Sequence, residues 1–391
     1  LHKAIRRQRQ MCIRDRAIKG KDSCCGCGNC AISCPKNAVR MDLDREGFEY
    51  PTVDEKLCIN CGKCIKVCPF EVAKNESCFN VLSCYAGFYN IDKEHLSTSS
   101  GGAATAISKK IIKTGGIVYG AAYTDNYKSI AIKRIDNVKD LPQLKGSKYA
   151  QTYKRDTYLA VKQDLAESKK VLYIGLPCDV AALKKFIKED HNLYTAELIC
   201  SGVTSQSTHR QFVEQIEKTT GKKITYFTYR NKDKGWCWPS IQAFSGETLS
   251  YNKPWYASLA GYAFKTFMRY SCYNCQFKTY NKVDLTLGDF WGLPKTDPRY
   301  NPNGVSAIIV HSEKGAWLMS SLDDFILHDA TFEEIRNGNP RLHSCLAKPT
   351  NREKFGNVFA EKGLIAACDE CRIWKDKIKD LVKDLISIIN L

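Results

Sequence analysis

The cysteines of this 391-residue chain are the residues whose type and spacing most plainly imply chemistry. Cys24, Cys27, Cys30 and Cys34-Pro35 are followed, each at an offset of 34, by Cys58, Cys61, Cys64 and Cys68-Pro69, so C-x2-C-x2-C-x3-C-P occurs twice. Three closely spaced thiolates can wrap one corner of an iron–sulfur cubane, while the fourth, on the following helical turn, crosses to the partner cubane. The repeat therefore predicts two [4Fe-4S] clusters, one on Cys24, Cys27, Cys30 and Cys68 and the other on Cys58, Cys61, Cys64 and Cys34. Structural zinc sites use C-x2-C pairs set far apart instead. Cys25 aligns with Ile59 in the repeat and is expected to be a bystander thiol.

A small module must hold these ligands. Val39, Met41 and Leu43 alternate, Arg45-Glu46-Gly47 can turn, and Phe48 and Tyr50 alternate back, which predicts a hairpin between the half-sites. Residues 21–80 resemble bacterial-type two-cluster ferredoxins. Twenty cysteines, ten of them between Cys12 and Cys68, point to metal in a reducing compartment rather than to a disulfide scaffold, so a cytoplasmic location is expected. No apolar stretch approaches the ~20 residues of a membrane span. The formal charge of +17 counts every cysteine as neutral, and bound clusters would lower it. Residues 1–20 are a basic tail in which Met11-Cys12-Ile13-Arg14-Asp15-Arg16 resembles translated adapter sequence, and the tail is set aside from the functional argument. The remaining basic surface suits docking of an acidic carrier protein; nucleic acid is not an expected partner.

Beyond Cys84, alternating strand and helix signals predict a larger α/β domain over 81–352, giving an α+β chain overall, with an amphipathic helical segment over 353–391. Ser99-Ser100-Gly101-Gly102 opens a helix whose apolar face is Ala103, Ala106, Ile107 and Ile111, and Gly115-Gly116 closes it before a strand at 117–122. Free amides at such a helix start can take the phosphates of a flavin nucleotide, with plain capping the simpler reading. Strands at 171–175 and 193–199 each lead to a cysteine, Cys178 and Cys200. Cys272-x2-Cys275 and a strand at 283–287 follow, so four thiols could converge. Trp236, Trp238, Trp255 and Tyr256 offer ring-stacking surfaces, with packing the simpler reading. Cys368-x2-Cys371 has no second pair, and the histidines show no ligand spacing.

Ser99 to Gly102, Lys145 to Tyr149, Gly175-Leu176-Pro177-Cys178, Ile199-Cys200-Ser201-Gly202, Ser271 to Lys278 and Asp284 to Gly292 together resemble the coenzyme F420 hydrogenase/dehydrogenase beta-subunit family over 96–352. The resemblance implies a flavoprotein passing electrons between iron–sulfur clusters, FAD and a two-electron carrier. It also implies a third [4Fe-4S] cluster on Cys178, Cys200, Cys272 and Cys275, with FAD contacts among Ser99, Ser100, Gly101, Gly102, Lys148, Tyr149, Asp289 and Trp291. This chain has Cys200-Ser201-Gly202 where the family usually shows Cys-His-Gly, so no imidazole proton relay is carried over, and coenzyme F420 is not assumed as substrate. The expectation is an FAD- and iron–sulfur-dependent oxidoreductase that works between a ferredoxin-like carrier or a redox partner subunit and a small-molecule or coenzyme acceptor. The alternative is an electron-relay or docking subunit of a larger complex.

Overall fold

The computed structural model describes residues 20–71, 80–154, 156–279 and 282–372. The predicted N-terminal tail to residue 19 and the apolar repeat from Trp374 to Ile388 fall outside these residues. The cysteine repeat is also a conformational repeat. Two short turns, α1 (Asn29–Ile32) and α2 (Lys63–Lys66), each start after a left-handed glycine, Gly28 at φ 80° and Gly62 at φ 70°. Between them lies the hairpin of β1 (Val39–Leu43) and β2 (Glu49–Val53), in register from Val39↔Val53 to Leu43↔Glu49. Asp44 shapes its turn, because one carboxylate oxygen accepts from both Glu46 N and Phe48 N at 3.0 Å.

The larger part begins with β3 (Ser83–Tyr89), α3 (Asp92–Ser97) and α4 (Ala103–Lys113), whose buried face includes Ala103, Ala106, Ile107 and Ile111 as the periodicity predicts. The chain continues through β4 (Ile117–Thr124), β5 (Ser129–Ile135), α5 (Thr157–Ala166), β6 (Val171–Gly175), α6 (Pro177–Ile187), β7 (Leu193–Leu198) and α7 (Gln206–Thr220). A separate antiparallel sheet of β8 (Tyr226–Asn231), β9 (Ser240–Ser245) and β10 (Thr248–Pro254) precedes α8 (Leu259–Thr266). Then come β11 (Leu285–Asp289), β12 (Ser306–Val310), α9 (Glu313–Met319), β13 (Phe325–Ala330), α10 (Phe332–Gly338) and α11 (Arg352–Cys371). β11, which ends at Asp289, thus lies two residues later than the strand at 283–287 that the sequence suggested.

The main sheet runs β13-β3-β12-β11-β7-β6-β4-β5. Its centre, β4, β6, β7 and β11, is parallel, and antiparallel strands complete both edges. Val171, Leu172 and Tyr173 are fully buried, as expected of a central parallel strand covered on both faces. The segments following β3, β6, β7 and β11 all emerge at the same end of the sheet, the end where α/β sheets bind ligands.

Buried charges tie the small module to the large domain. Fully buried Arg352 grips Glu46 with two hydrogen bonds of 2.9 and 2.7 Å, and Arg269 donates to Cys24 O at 2.6 Å, Gln151 Oε1 at 2.9 Å and Glu49 O at 2.8 Å. Removing one partner leaves the other charge buried and unpaired. Arg352→Ala should therefore cost about 3–5 kcal/mol, read as a lowered midpoint in urea unfolding, whereas an exposed pair such as Lys362–Glu370 should matter little when broken.

Candidate redox site

The eight repeat cysteines lie close enough to one another for their thiols to interact across the repeat. Burial pushes the Cys30 thiol up to about 12, and the neighbouring sulfurs that add to this are Cys24, Cys68 and Cys64; the first two belong to its own predicted set. Cys64 is raised by burial and then by Cys61 and Cys58, its predicted companions. The backbone supplies donors as well: Gly26 N–H points to Cys24 Sγ at 3.4 Å and Ala38 N–H to Cys34 Sγ at 3.2 Å. Such amide donors stabilise sulfur charge and tune cluster potentials.

The second thiol group forms beyond the ends of β6 and β7. Cys178 sits in the first turn of α6, Cys200 follows β7, and Cys272 and Cys275 come from the turn after α8. All four line one hollow of about 40 Å3. Burial drives Cys272 well above its ordinary value, with Cys200, Cys178 and Cys275 adding to it, and takes Cys275 up to about 12, with Cys178 and Cys200 adding. Among the described residues no three His, Cys, Asp or Glu side chains are close enough to hold a single metal ion. Soft sulfur donors around a buried hollow fit an iron–sulfur cluster, and Lys154, Lys278 and Arg269 on the same wall supply positive charge against a cluster anion. Burial opposes the Lys154 charge, but Asp179 at 2.9 Å and Cys178 outweigh it and hold its pKa above the usual lysine value.

Two further cysteines adjoin this hollow. Cys25, read from sequence as a bystander, lies on its wall and packs with Phe70, Ala181 and Phe277 among Cys27, Cys68, Cys178 and Cys275. The thiols of the first crossed set and those of the hollow thus share one apolar contact region. Cys345 Sγ accepts from Cys275 N at 3.2 Å, a neighbour that no spacing in the sequence could announce. By contrast, Cys368 and Cys371 are buried within α11, and Cys368 donates to Leu259 O at 3.9 Å, which fits a structural pair.

Next to the hollow lies a cavity of about 580 Å3. Leu176, Asp179 and the run Cys200 to Val203 line both spaces. Ser99, Ser100, Gly102, Lys148, Tyr149, Asp289 and Trp291 line the cavity; Gly101 does not. Gly101 instead packs beneath the helix start, where a Cβ would meet Gly87 O at 2.0 Å, so its glycine serves close backbone packing. Gly102 caps α4 at φ 91° without a side chain, which leaves the first turn facing the cavity. The Ser99 and Ser147 hydroxyls bond at 2.8 Å, while Ser100 is committed to Val305 O at 2.7 Å. Burial pulls the Lys148 ammonium down to about 7, even as three carbonyls, of Leu144, Lys145 and Gly146, accept from it at 3.0, 2.7 and 3.1 Å.

Aromatic rings close the other side. Tyr149 packs on Trp255 with centroids 4.5 Å apart, and Trp291 stacks on Trp236 at 4.6 Å with 4° between planes. Asp289 is fixed by Arg230 through bonds of 2.8 and 3.0 Å and by Trp236 Nε1 at 2.8 Å. Burial opposes its charge, but Arg230 prevails and holds the carboxyl below the ordinary range. Trp255 and Tyr256 reach the cavity, Trp236 supports it from behind, and Trp238 is exposed. Cavity, helix start, lysine and flat apolar walls fit a planar ring system carrying phosphates.

Comparison with known proteins finds two matching segments. Residues 168–328 match the family model described as the C terminus of the coenzyme F420 hydrogenase/dehydrogenase beta subunit, and residues 23–72 match the 4Fe-4S dicluster domain. Coenzyme F420-dependent sulfite reductase of Methanocaldococcus jannaschii is 24% identical over 364 residues, covering 86% of this chain and 51% of that protein. The ferredoxin-type protein NapF of Haemophilus influenzae is 40% identical over 43 residues, which are 11% of this chain and 24% of that protein. The chain thus spans about half the length of the first relative and about a quarter of the second. Among solved structures, a chain of the F420-reducing [NiFe] hydrogenase complex from Methanosarcina barkeri is similar at a TM-score of 0.42 and 15% identity, covering 76% of this chain and 93% of that one.

The dicluster match contains all eight repeat cysteines, and the beta-subunit match contains Cys178, Cys200, Cys272, Cys275, Asp289 and Trp291. Ser99 to Gly102, Lys148 and Tyr149 precede the beta-subunit match, and all of these but Gly101 reach the same cavity through the fold. Among the described residues no helix is long and apolar enough to cross a membrane.

One buried acid of the beta-subunit segment was not evident in the sequence. Glu197, on β7, accepts from Thr286 Oγ1 at 3.0 Å, and its other oxygen has no partner among the described residues. Burial pushes its carboxyl up to about 8, although Thr286, Lys278 and Lys184 act the other way. An acid whose folded pKa lies above its unfolded one favours folding most at low pH, and that contribution fades as pH rises through the folded value. The wild type should therefore lose thermal stability between about pH 5 and pH 8, and Glu197→Gln should flatten that slope, as followed by unfolding midpoints at both ends.

Proposed function

We propose that the chain is an iron–sulfur flavoprotein oxidoreductase that passes electrons between a ferredoxin-like carrier and a two-electron donor or acceptor. The observation that carries this reading is the shared wall: Cys200 to Val203 separate a thiol-lined hollow from a cavity suited to a flavin nucleotide. Cys24, Cys27, Cys30 and Cys68 would hold one cluster, Cys58, Cys61, Cys64 and Cys34 a second, and Cys178, Cys200, Cys272 and Cys275 a third. FAD, held in the cavity, would supply conversion between one-electron and two-electron transfer.

The chain's own residues do the positioning. The open first turn of α4 and the Lys148 ammonium favour an anionic group at one end of the cavity. Tyr149, Trp255 and Trp291 provide flat apolar contact and exclude water. The Arg230–Asp289 pair fixes a polar edge with its charges already satisfied. Ser201, which lines the cavity where the family's histidine would stand, offers a hydroxyl and no group that titrates near neutrality. On the wall, Lys148 is the group whose pKa approaches neutrality, and its Nζ is where a proton can be held.

The test is spectroscopic. Protein isolated without oxygen should contain flavin that dithionite bleaches and an organic oxidant restores. Iron without flavin would instead support an electron-relay subunit, and protein with neither would end the redox reading.

A further inference from the structure

The eight repeat cysteines differ in how far they reach solvent. Seven are partly buried, and Cys61 alone is exposed. The loop that carries it also exposes two apolar side chains, Leu57 at 51% and Ile59 at 56%. Exposed aliphatic residues on either side of Cys58 contribute nothing to the core of so small a module. The same loop and the turn after it carry three exposed lysines, Lys56, Lys63 and Lys66, and a fourth, Lys36, follows Cys34, the cysteine assigned to the same crossed set. Two acids also belong to the loop: Asp54, which accepts from Lys56 N at 2.9 Å, and the exposed Glu55. The other crossed set is enclosed by the large domain, with Cys24 bonded to Arg269 and Cys27 and Cys68 packed against the Phe70–Phe277 region.

We infer that the Leu57–Ile59 loop with Lys36, Lys56, Lys63 and Lys66 is a docking surface for a small acidic electron-carrier protein. This rests on the redox reading above and adds the place of contact and the partner's charge. An apolar centre flanked by an excess of lysines is suited to a brief encounter: opposite charge steers the approach, and the aliphatic contact excludes water where the sulfur is closest to the surface. Transient electron-transfer contacts are small, so one loop and one turn suffice. The surface selects an acidic carrier because its four lysines outnumber the two acids of the loop, Asp54 and Glu55, and steering of this kind weakens as salt screens it.

The experiment uses the full, cluster-loaded chain and a purified acidic bacterial ferredoxin as probe, with binding followed by titration calorimetry at low and high salt. The wild-type dissociation constant should rise with salt. The triple variant K56E/K63E/K66E should bind at least roughly tenfold more weakly at low salt and lose most of the salt dependence. The double variant L57S/I59S should weaken binding while keeping that dependence. Iron content and reduction by dithionite should be those of the wild type in both variants, since no cysteine is altered. Unchanged ferredoxin binding by iron-replete variants overturns the assignment. Concentration-dependent dimerisation of the wild type that the same charge reversals abolish also overturns it, by giving the surface to a second copy. Absence of iron from the wild type itself is a different result, which would defeat the redox reading.

Discussion

Replacing Cys272 and Cys275 together by Ala should remove about four iron atoms per chain from about twelve, while the eight cysteines of the N-terminal repeat keep theirs. The double replacement matters because the hollow holds spare thiols. Cys345 accepts from Cys275 N at 3.2 Å, so the loss of Cys275 alone leaves a neighbouring sulfur beside the gap. Losing two of four adjacent donors leaves only Cys178 and Cys200 of the assigned set. Folding should survive, since both lost side chains are small and line a hollow rather than a packed core. Flavin content should also persist, because the contacts assigned to it lie on other walls. Iron and flavin measured on the same sample separate these outcomes, and an unchanged iron count would remove the third cluster from the account.

The second large effect concerns the cavity. Ala104 lies in the first turn of α4, is partly exposed and faces the space assigned to the flavin. A Trp there occupies volume that a dinucleotide would need and covers the amides expected to meet its phosphates. Ala104→Trp should lower the flavin to protein ratio at least roughly tenfold at equal protein and flavin concentration, which is a penalty above about 1.4 kcal/mol in binding. Iron content should not change. Flavin retained at wild-type stoichiometry would place it elsewhere.

Much of this site could be read from the sequence because its parts are local. Three cysteines within seven residues and a fourth four residues on hold their spacing wherever the module is placed, and Gly28 and Gly62 repeat with them as the left-handed entries to α1 and α2. The helix at Ala103 and the strand at Val171 were likewise legible, one from a period near 3.6 and the other from an apolar run. What could not be read was adjacency made by the sheet. Cys345 and Cys275 are 70 residues apart, Arg230 and Asp289 are 59, and only the fold brings either pair together. Glu197 has no local signature at all, since its burial depends on β11 supplying Thr286. Gly101 shows the converse error: a glycine beside a phosphate-binding pattern suggests contact with ligand, yet its own backbone neighbours, above all Gly87 O, are what require it.

The central claim is that three sulfur sites lead in sequence from an exposed corner to the wall of a flavin cavity. Iron content per chain, determined on wild-type protein isolated and kept free of oxygen, tests it most directly. The account predicts about twelve iron atoms per chain. About eight would leave the thiol hollow without a cluster and break the path between the N-terminal module and the cavity, contradicting it.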